Sequence, residues 1–525
     1  MRPSAAIHTR LCNPQAEDAR LASMPGTSYD YVIIGAGSAG CVLAARLSED
    51  PAARVLLLEA GSRDTHANIH IPAAFPNLFK TKWDWDYATE PQKQLHDRRV
   101  YWPRGKMLGG SSNMNAMIYI RGHATDFDRW RDRWGCTGWG YDDVLPYFKR
   151  SEDNGSLHDS YHGSDGPLKV KDQVSPRPMS LAFVEAGVQA GHRANDDFNG
   201  AEQAGVGLYQ VTQHKGRRHS VADAYLRPAL SRPNLEVWTD SPVKRITFSG
   251  TRAAGVMVAR DGQTTDVEAT EVIVASGAIG SPQMLMASGI GPAHHLAEHG
   301  IDVVLDLPGV GQNLQDHLSV GPIYASPSPG SLLGADAPAN LLNFFARGRG
   351  PLTSNVGEGG LFAKTDPTLL APDVQMHFVP ATYLNEGLTE VTEHGVTLSS
   401  CVLRPRSTGQ IRLRSADPAW APAIESRYLD DPADLDTLLA GYEMAEEVLG
   451  QPAMARYRGR RLVPPASQPP QSRSPTRFAN RHRRCITRWE PARWVPTTTR
   501  WSTPMTCGST VSTGCGWWML RSCRI

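Results

Sequence analysis

Three glycines near the beginning of the chain have the spacing of a phosphate-binding turn. Gly35, Gly37 and Gly40 form a G-x-G-x-x-G pattern, with Ser38 and Ala39 between the last two. In such a turn the first glycine lets the chain reverse sharply, the second lets the backbone approach a pyrophosphate, and the third lets a helix pack closely on a strand. The helix that follows directs free N–H groups and the positive end of its dipole at the phosphates.

The segments around these glycines have the lengths and apolar composition that such a turn needs. Tyr31 to Ile34 is the size of a buried parallel strand, and Arg54 to Leu58 predicts a second one. Glu59 and Ala60 follow it, and the Glu59 carboxylate is placed where it can accept a hydrogen bond from a ribose hydroxyl. A lone glycine pattern also fits a turn in an unrelated α/β protein. The two strands, the helix and the acid together favour dinucleotide binding.

The composition excludes several classes of function. The chain has 525 residues, enough for two or more domains, and a formal net charge of +1. This balance gives no reason to expect a nucleic-acid partner. There is no apolar run of about 18 residues or more, and residues 1–27 contain no apolar signal-peptide core. We therefore expect a cytoplasmic protein, and a peripheral contact with the inner membrane stays open.

A second group of small residues lies further along the chain. The segment Gly109 to Met117 reads Gly-Gly-Ser-Ser-Asn-Met-Asn-Ala-Met. Such residues either form a flexible loop or let backbone donors reach a flat, polar ring system. Two more segments rich in glycine, Gly277 to Gly291 and Gly309 to His317, follow at a distance.

In this order, the four segments resemble the signatures of the glucose–methanol–choline (GMC) oxidoreductases, most closely the bacterial choline dehydrogenase and alcohol dehydrogenase branch. The resemblance runs from about residue 29 to about residue 463. It implies an α/β fold, in which a doubly wound, Rossmann-like FAD-binding domain is joined to a second, mostly antiparallel α+β substrate domain. It also implies FAD as the cofactor. A nicotinamide enzyme is the weaker alternative, because the glycine pattern alone does not choose between dinucleotides.

The resemblance also predicts domain boundaries and cofactor contacts. The predicted divisions are 1–27 as a disordered extension, 28–158 and 204–320 as the FAD-binding domain, 159–203 and 321–463 as the substrate domain, and 464–525 as an aberrant tail. The predicted FAD contacts are Gly35, Gly37, Ser38, Ala39, Gly40, Glu59, Ala60, Gly109, Gly110, Asn113, Asn115, Ala116, Met117 and Val243. For Val243, a core valine at the start of a strand is equally compatible. Some relatives attach FAD covalently through a histidine at the position of Met114, so we expect non-covalent FAD here.

Three other polar residues attract attention as acid–base candidates. Asp316 and His317 end the last of the four segments, and His377 lies on the alternating stretch 373–379, which predicts a strand. The resemblance favours a structural role for Asp316 and His317 at the domain junction. For His377, which lies on a strand similar to the family's substrate-cavity strand, a packed sheet histidine is the plainer interpretation. We therefore predict no catalytic residue and no metal ligand among them.

The composition changes abruptly near the end of the chain. From residue 456 to residue 525 there are 14 arginines, no lysine, no aspartate and a single glutamate, Glu490, and five of the 13 tryptophans lie in the last 41 residues. A basic tail that binds nucleic acid or an anionic membrane is one interpretation. The other is out-of-frame translation that begins near Pro464.

When the reading frame is shifted by one base, the same region can encode motifs that resemble those of the family. With permitted codons, Ile486 to Val495 encodes His-Pro-Val-Gly-Thr-Cys-Lys-Met-Gly in the shifted frame. Arg500 to Ser509 encodes Val-Val-Asp-Pro-Asn-Asp-Leu-Arg-Val, and the eleven shifted codons that begin within Thr513 to Cys523 encode Gly-Leu-Arg-Val-Val-Asp-Ala-Ser-Val-Met-Pro. All three resemble C-terminal motifs of the family, in the right order, and the first resembles its catalytic histidine motif.

The function predicted from these patterns is FAD-dependent oxidation of an alcohol to an aldehyde, with a quinone-like acceptor or oxygen taking the electrons. The chain as written is expected to be impaired, because the catalytic histidine motif is absent and a missing strand should leave a sheet edge unpaired. Two alternatives stay open: an FAD-containing hydroxynitrile lyase, and a non-catalytic protein that binds through its Arg- and Trp-rich tail.

Overall fold

The computed structural model of the chain describes residues 28–464 and the short strand at residues 518–520. The predicted extension 1–27 and most of the predicted aberrant tail lie outside the described residues, as does the segment 486–495 that carries the histidine motif in the shifted frame. Within the described part, no helix combines the length and the apolar character needed to cross a membrane.

The first layer of the fold is a parallel sheet that begins with the predicted dinucleotide-binding unit. Its strands lie in the order Leu235–Trp238, Val55–Leu58, Tyr29–Ile34 and Gln263–Val274, and all neighbours in this set are parallel. All four residues of Val55–Leu58 are buried, as expected for a strand covered on both faces. The sheet is therefore doubly wound, as predicted.

Alternate side chains of this sheet pack into two different cores. Ile33 and Leu57 pack against the helix Ser38–Leu47, whereas Val32 and Leu58 point to the other face, which includes residues of the helix Gly277–Ala287. Beyond the parallel strands, the same sheet continues as an antiparallel meander made of Val243–Ser249, Arg252–Arg260 and the first half of Gln263–Val274.

A short C-terminal segment covers one edge of Gln263–Val274, the last of the parallel strands. Trp518–Leu520 pair antiparallel with Val272–Val274. The unpaired edge expected from the loss of a C-terminal strand is therefore not found at this position. The pairing is antiparallel within an otherwise parallel region, so the direction of this strand differs from that of its neighbours.

The second layer is an antiparallel sheet, which confirms the predicted second architecture. Its strands lie in the order Arg461–Val463, Ile323–Ala325, Gly395–Val402, Val374–Val379, Gly359–Ala363 and Gly205–Leu208, with Ser319–Val320 also paired to Gly395–Val402. The helices Pro178–Gln189 and Pro432–Gly450 cover one face of this sheet. The predicted boundary at residue 204 falls just before Gly205–Leu208, which belongs to this sheet.

The remaining elements are short connections around the two sheets. The other α-helices are Ala67–His70, Ala124–Trp134, Tyr141–Ser151, Arg227–Ala229, Ala293–Glu298 and Pro338–Arg347. The small strand pairs are Tyr87–Ala88 with Tyr101–Trp102, Glu152–Asn154 with Leu168–Val170, Gln213–His214 with Arg217–Arg218, Ile290–Gly291 with Leu305–Asp306, and Gln410–Arg412 with Ala423–Glu425.

Candidate active site

The glycine turn after the first strand forms an open cradle at a helix N-terminus. Gly35 has φ +98°, and a Cβ there would lie 2.9 Å from the carbonyl oxygen of Ala275, so both the conformation and the space require glycine. A Cβ at Gly40 would lie 1.9 Å from the carbonyl oxygen of Gly35, which keeps the helix close to the turn. A Cβ at Gly37 would meet no heavy atom within 4 Å.

The space at Gly37 has the character of an anion site. Gly37 precedes the helix Ser38–Leu47 and no side chain caps this end. The first N–H groups of an α-helix have no acceptor within the helix and favour negative charge. Ser38 and Ala39 are therefore placed to offer backbone N–H groups to a phosphate that fills the open space.

The acid predicted to bind a ribose is held beside this turn. Glu59 is buried at the end of Val55–Leu58; its Oε2 accepts a hydrogen bond from the Ala36 N–H at 2.9 Å, and its Oε1 accepts one from the Gly61 N–H at 2.8 Å. Burial raises the pKa of the Glu59 carboxyl to about 7, against the opposing effect of these two donors. Ala60 lies between Glu59 and Gly61, so both predicted contacts stand at the same end of the sheet.

The segment leading to Val243 meets the same loop. The N–H of Ser241 donates to the carbonyl oxygen of Glu59 at 2.8 Å, and the N–H of Asp240 donates to that of Gly61 at 2.9 Å. Val243 is buried and begins a strand of the meander. Val243, a predicted FAD contact, therefore lies near Glu59, the predicted ribose contact. The buried Val243 side chain also fits the alternative interpretation, a core valine at the start of a strand.

The second small-residue segment packs directly on the glycine turn. The N–H of Gly109 donates to the carbonyl oxygen of Ala36 at 2.8 Å. Gly110 has φ +51°, and a Cβ there would lie 2.7 Å from Gly37 Cα. The two motifs, more than 70 residues apart in the sequence, therefore form one continuous surface. This is the arrangement that a long dinucleotide would need.

Hydrogen bonds fix the two asparagines of this segment, Asn113 and Asn115. The Asn113 amide nitrogen donates to the carbonyl oxygen of Leu108 at 2.7 Å and to Asp64 at 3.1 Å, whereas its buried Oδ1 accepts no hydrogen bond from the described residues. Asn115 Oδ1 accepts from the Met117 N–H at 3.0 Å. The carbonyl oxygen of Ala116, which is buried, accepts from the Asn355 amide at 3.0 Å.

One residue that the sequence analysis did not single out organises this segment. Arg218 is buried, and it donates to the carbonyl oxygens of Ile69 at 2.8 Å, Ser112 at 3.0 Å and Asn115 at 2.7 Å, as well as to Asn115 Oδ1 at 2.8 Å. Burial lowers the pKa of the Arg218 guanidinium to about 9, with Asp223 opposing the effect. The adjacent Arg217 in the pattern Gly-Arg-Arg-His is exposed, so sequence alone could not tell which arginine turns inward.

The antiparallel sheet presents a polar face to this region. Met376 and Phe378 pack under the helices, so Gln375, His377 and Val379 occupy the opposite face of their strand. Val379 packs in one cluster with Met107, Met114 and Ala116. The polar face of the sheet is therefore directed at the segment predicted to lie along the flavin.

His377 is buried in this face beside the Tyr209 ring, with no hydrogen-bond partner among the described residues. Neither ring nitrogen makes a hydrogen bond to a described residue, and only 1% of the residue is exposed. Burial lowers the pKa of the His377 imidazole to about 3, assisted by nearby His317. Unpartnered buried polar atoms are unusual in proteins and often mark functional positions. The packed-histidine interpretation does not account for these two free nitrogens.

The contacts of Asp316 are those of a residue with a structural role. Its carboxylate accepts a hydrogen bond from the Tyr428 hydroxyl, and that hydroxyl also accepts one from the Trp102 indole at 3.0 Å. Burial raises the pKa of Asp316, with Tyr428 and the Arg104 guanidinium opposing it. His317 is bonded to the carbonyl oxygen of Leu403 at 3.1 Å. Leu403 directly follows the strand Gly395–Val402, so the His317 bond ties this segment to the end of the antiparallel sheet.

The comparisons with known proteins agree with this geometry. Sequence models described as GMC oxidoreductase match residues 29–319 and 405–492, so the chain belongs to the GMC oxidoreductase family. The members of this family bind FAD and act on CH–OH groups.

Individual relatives are similar over most of their length. The chain is 44% identical over 446 residues to an alcohol dehydrogenase [acceptor] of Pseudomonas putida, covering 83% of this chain and 81% of the relative. It is 42% identical over 484 residues to the mitochondrial choline dehydrogenase of Homo sapiens, covering 88% of this chain and 81% of the relative. Among solved structures, pyridoxine 4-oxidase from Mesorbium loti is 33% identical with a TM-score of 0.78, covering 88% of this chain and 86% of that one.

The cradle allows a specific test of cofactor binding. Gly37 has φ −70° and its Cβ position is open, so we expect Gly37→Ala to fold with unchanged stability. The added methyl group would occupy space next to the bound phosphates and should weaken FAD binding about tenfold or more. FAD titration followed by flavin fluorescence measures this.

A matched control is available for this substitution. Gly309 has a similarly open Cβ position and no left-handed φ, and we expect Gly309→Ala to leave FAD affinity unchanged. Equal FAD affinity in the Gly37→Ala variant and the unaltered protein would contradict the placement of the pyrophosphate.

Proposed function

We propose that the active form of this protein oxidises an alcohol to an aldehyde with non-covalently bound FAD, and that the chain as written is impaired. The observation that supports the proposal most strongly is the continuous surface formed by Gly37 and Gly110, open at a helix N-terminus. We propose the fourteen residues predicted from the sequence as its FAD contacts. We propose the predicted domain boundaries as the approximate division of the chain, except that Gly205–Leu208 and Ser319–Val320 pair with the antiparallel sheet.

The residues present fit the cofactor. The open space at Gly37 suits a pyrophosphate, Glu59 offers an acceptor to a ribose hydroxyl, and the unpartnered Oδ1 of Asn113 offers an acceptor beside the flavin segment. Met114 stands where a covalent link would require a histidine, and a thioether offers no such nucleophile. When bound, FAD supplies the acceptor for the hydride that leaves the alcohol carbon.

Among the described residues, His377 is suited to position the alcohol but not to take its proton. His377 is neutral at physiological pH, so its ring carries one N–H donor and one acceptor nitrogen, both free to hydrogen-bond a substrate hydroxyl. The surrounding sheet face excludes water and leaves few competing partners. A pKa of about 3 makes His377 a poor base, so another group must take the hydroxyl proton.

We propose that this missing group is the histidine encoded out of frame within residues 486–495. Three motifs of the family appear in order only in the shifted frame. The third includes the codons of residues 518–520, and these residues pair with the FAD-binding sheet. In the shifted frame the codons of residues 516–520 encode Val-Val-Asp-Ala, whose two valines are good strand formers.

Choline carries a quaternary ammonium group, which a nearby carboxylate could bind, but the carboxylate of Glu358 gives no particular support to choline as the substrate. Its oxygens accept hydrogen bonds from the hydroxyls of Ser180 at 2.6 Å and Ser354 at 2.5 Å, and from the Arg177 N–H at 2.7 Å. These bonds commit Glu358 to holding the second sheet together. We therefore propose an uncharged alcohol, with electrons passing to a quinone-like acceptor or oxygen, in a cytoplasmic protein with a peripheral contact to the inner membrane.

Anaerobic bleaching of the bound flavin tests the proposed reaction. On the frame-restored protein, an alcohol substrate should bleach the flavin absorbance, and a quinone analogue should then restore it. A hydroxynitrile lyase would release cyanide and aldehyde from a cyanohydrin while its flavin stays oxidised. That second result would overturn the oxidation proposal and favour the lyase.

The unpartnered histidine permits a test that separates function from stability. We expect His377→Leu to keep or slightly raise the stability of the frame-restored protein, by up to about 1 kcal/mol, because burial of unpartnered polar atoms is unfavourable. The same change should raise KM for the alcohol about tenfold by removing a hydrogen bond to the hydroxyl. Thermal unfolding and steady-state kinetics measure the two effects.

Gln375 provides the contrast on the same strand. Its amide donates to the Tyr209 hydroxyl at 2.8 Å, so Gln375→Leu should lower stability. An unchanged KM together with a clear loss of stability in His377→Leu would assign His377 to the core and not to the substrate.

A further inference from the structure

The helix Pro338–Arg347 carries apolar side chains on its outer face. Leu342 is 71% exposed and Phe345 is 65% exposed, and they lie three residues apart on one side of the helix. The opposite side is anchored, because Phe344 packs with Ile71 and Leu352 in a small core of its own. The helix is thus fixed to the protein and presents an apolar ridge to the outside.

Basic side chains border this ridge. Arg347 and Arg349 follow the ridge at the end of the helix, and Lys215 and Arg217 lie on the adjoining hairpin; all four are exposed. Arg347, Lys215 and Arg217 line a shallow cavity of about 380 Å³ together with Phe345. No ion pair involves any of the four cations within residues 28–464, and the single acid of the segment 326–350, Asp336, lies before the other end of the helix.

The hairpin connects this surface to the candidate active site. Arg217 faces the ridge, and the next residue, Arg218, turns inward and holds Ser112 and Asn115 of the predicted flavin segment. The backbone of the hairpin at Gly216 packs closely on Gly348 at the helix end. A partner whose surface binds the ridge would therefore lie beside the segment predicted to contact the flavin.

We propose that this patch, defined by Leu342, Phe345, Lys215, Arg217, Arg347 and Arg349, docks the protein on an anionic phospholipid membrane. An apolar ridge bordered by cations is the chemistry of interfacial helices, whose apolar side chains enter the acyl boundary while cations contact lipid phosphates. The absence of local acids to neutralise the cations favours an anionic partner. The inference rests on the membrane contact proposed above and refines it by naming the surface that makes the contact.

Vesicle binding of the full chain tests the proposal without any turnover. The protein is sedimented with vesicles of phosphatidylcholine alone or mixed with phosphatidylglycerol, in the absence of substrate. We expect binding to the anionic vesicles only, weakening as salt increases. The double variant Leu342→Ser/Phe345→Ser and the double variant Lys215→Gln/Arg347→Gln should each reduce the partition coefficient about tenfold or more.

Controls separate this patch from other sources of binding. Leu370 is 85% exposed on a different loop, and Leu370→Ser should bind vesicles like the unaltered protein. Because every substituted side chain is exposed, circular dichroism should show unchanged folding in all variants. The same measurements on the frame-restored protein should show the same pattern, whether or not it oxidises alcohols.

Three results would overturn the proposal. Binding that persists unchanged in both double variants would assign it to the Arg-rich tail. A dimer that dissociates in the Leu342→Ser/Phe345→Ser variant would make the ridge an interface between two copies of the chain. Absence of binding to anionic vesicles at low salt would exclude the membrane as partner.

Discussion

Restoring the reading frame near Pro464 will increase alcohol oxidation about 100-fold or more over the chain as written. The reason is that a positioned general acid–base group contributes about 10²–10⁴-fold to such reactions, and neither His377 nor His317 is suited to replace it. His377 is neutral and has a pKa of about 3, and His317 is bonded to a backbone carbonyl. Initial rates with a panel of primary alcohols and an artificial electron acceptor measure the difference.

The restored protein should also hold FAD more firmly. A control gene that carries the same restored base together with His→Ala in the recovered histidine motif should bind FAD like the restored protein but lose the rate increase. Equal activity of the written and restored chains would show that the C-terminal frame does not limit catalysis. Resequencing that finds no unmatched base near Pro464 would remove the physical origin of the prediction.

Replacement of Arg218 will strongly destabilise the protein and weaken its binding of FAD. Arg218→Met removes four hydrogen bonds from a buried guanidinium and leaves the carbonyl oxygens of Ile69, Ser112 and Asn115 without their donor. Because buried acceptors that lose a charged donor are costly, we expect the free energy of unfolding to fall by about 2–4 kcal/mol. FAD should dissociate readily, since the flavin segment loses its lateral support.

The neighbouring arginine is the matched control for this change. Arg217→Met alters the same hairpin but an exposed side chain, and it should change stability by less than about 0.5 kcal/mol. Arg218→Lys should be intermediate, because an ammonium group cannot reach four separate acceptors from one fork. Chemical denaturation and flavin release measured on all three variants would refute the role of Arg218 if they gave indistinguishable values.

Much of the fold follows from local patterns in the sequence. The predicted strands at residues 31–34 and 54–58 correspond to Tyr29–Ile34 and Val55–Leu58, and the predicted strand at 373–379 corresponds to Val374–Val379. These elements have strong periodicity or an uninterrupted apolar run. Their boundaries shift by one or two residues because hydrogen bonding at the ends, and not hydrophobicity, decides where an element stops.

The arrangement of the site depended on contacts that no local pattern contains. Gly110 approaches Gly37 across 73 positions, and Arg218 reaches Asn115 across 103. The glycine spacing indicated the phosphate turn because each glycine has a separate local reason to be there. The sequence has no such signal for which of two adjacent arginines turns inward, because the acceptors that hold Arg218 lie far away in the chain.

For His377, the sequence pattern predicted the strand but not the lack of hydrogen-bond partners. The alternation of its strand placed it correctly on one face, and sheet histidines are usually packed and satisfied. The structure leaves both of its ring nitrogens without a hydrogen bond to a described residue, on the face that is directed at the segment predicted to lie along the flavin. Which face of a strand points to a site is a property of the assembled layers and not of the strand.

The absorbance spectrum of the purified, frame-restored protein tests the central claim most directly. The account predicts an oxidised flavin spectrum with close to one FAD per chain, released intact by denaturation without a covalent remnant, and strongly reduced in the Gly37→Ala variant. A folded protein that shows no flavin absorbance, even after incubation with excess FAD, would contradict it.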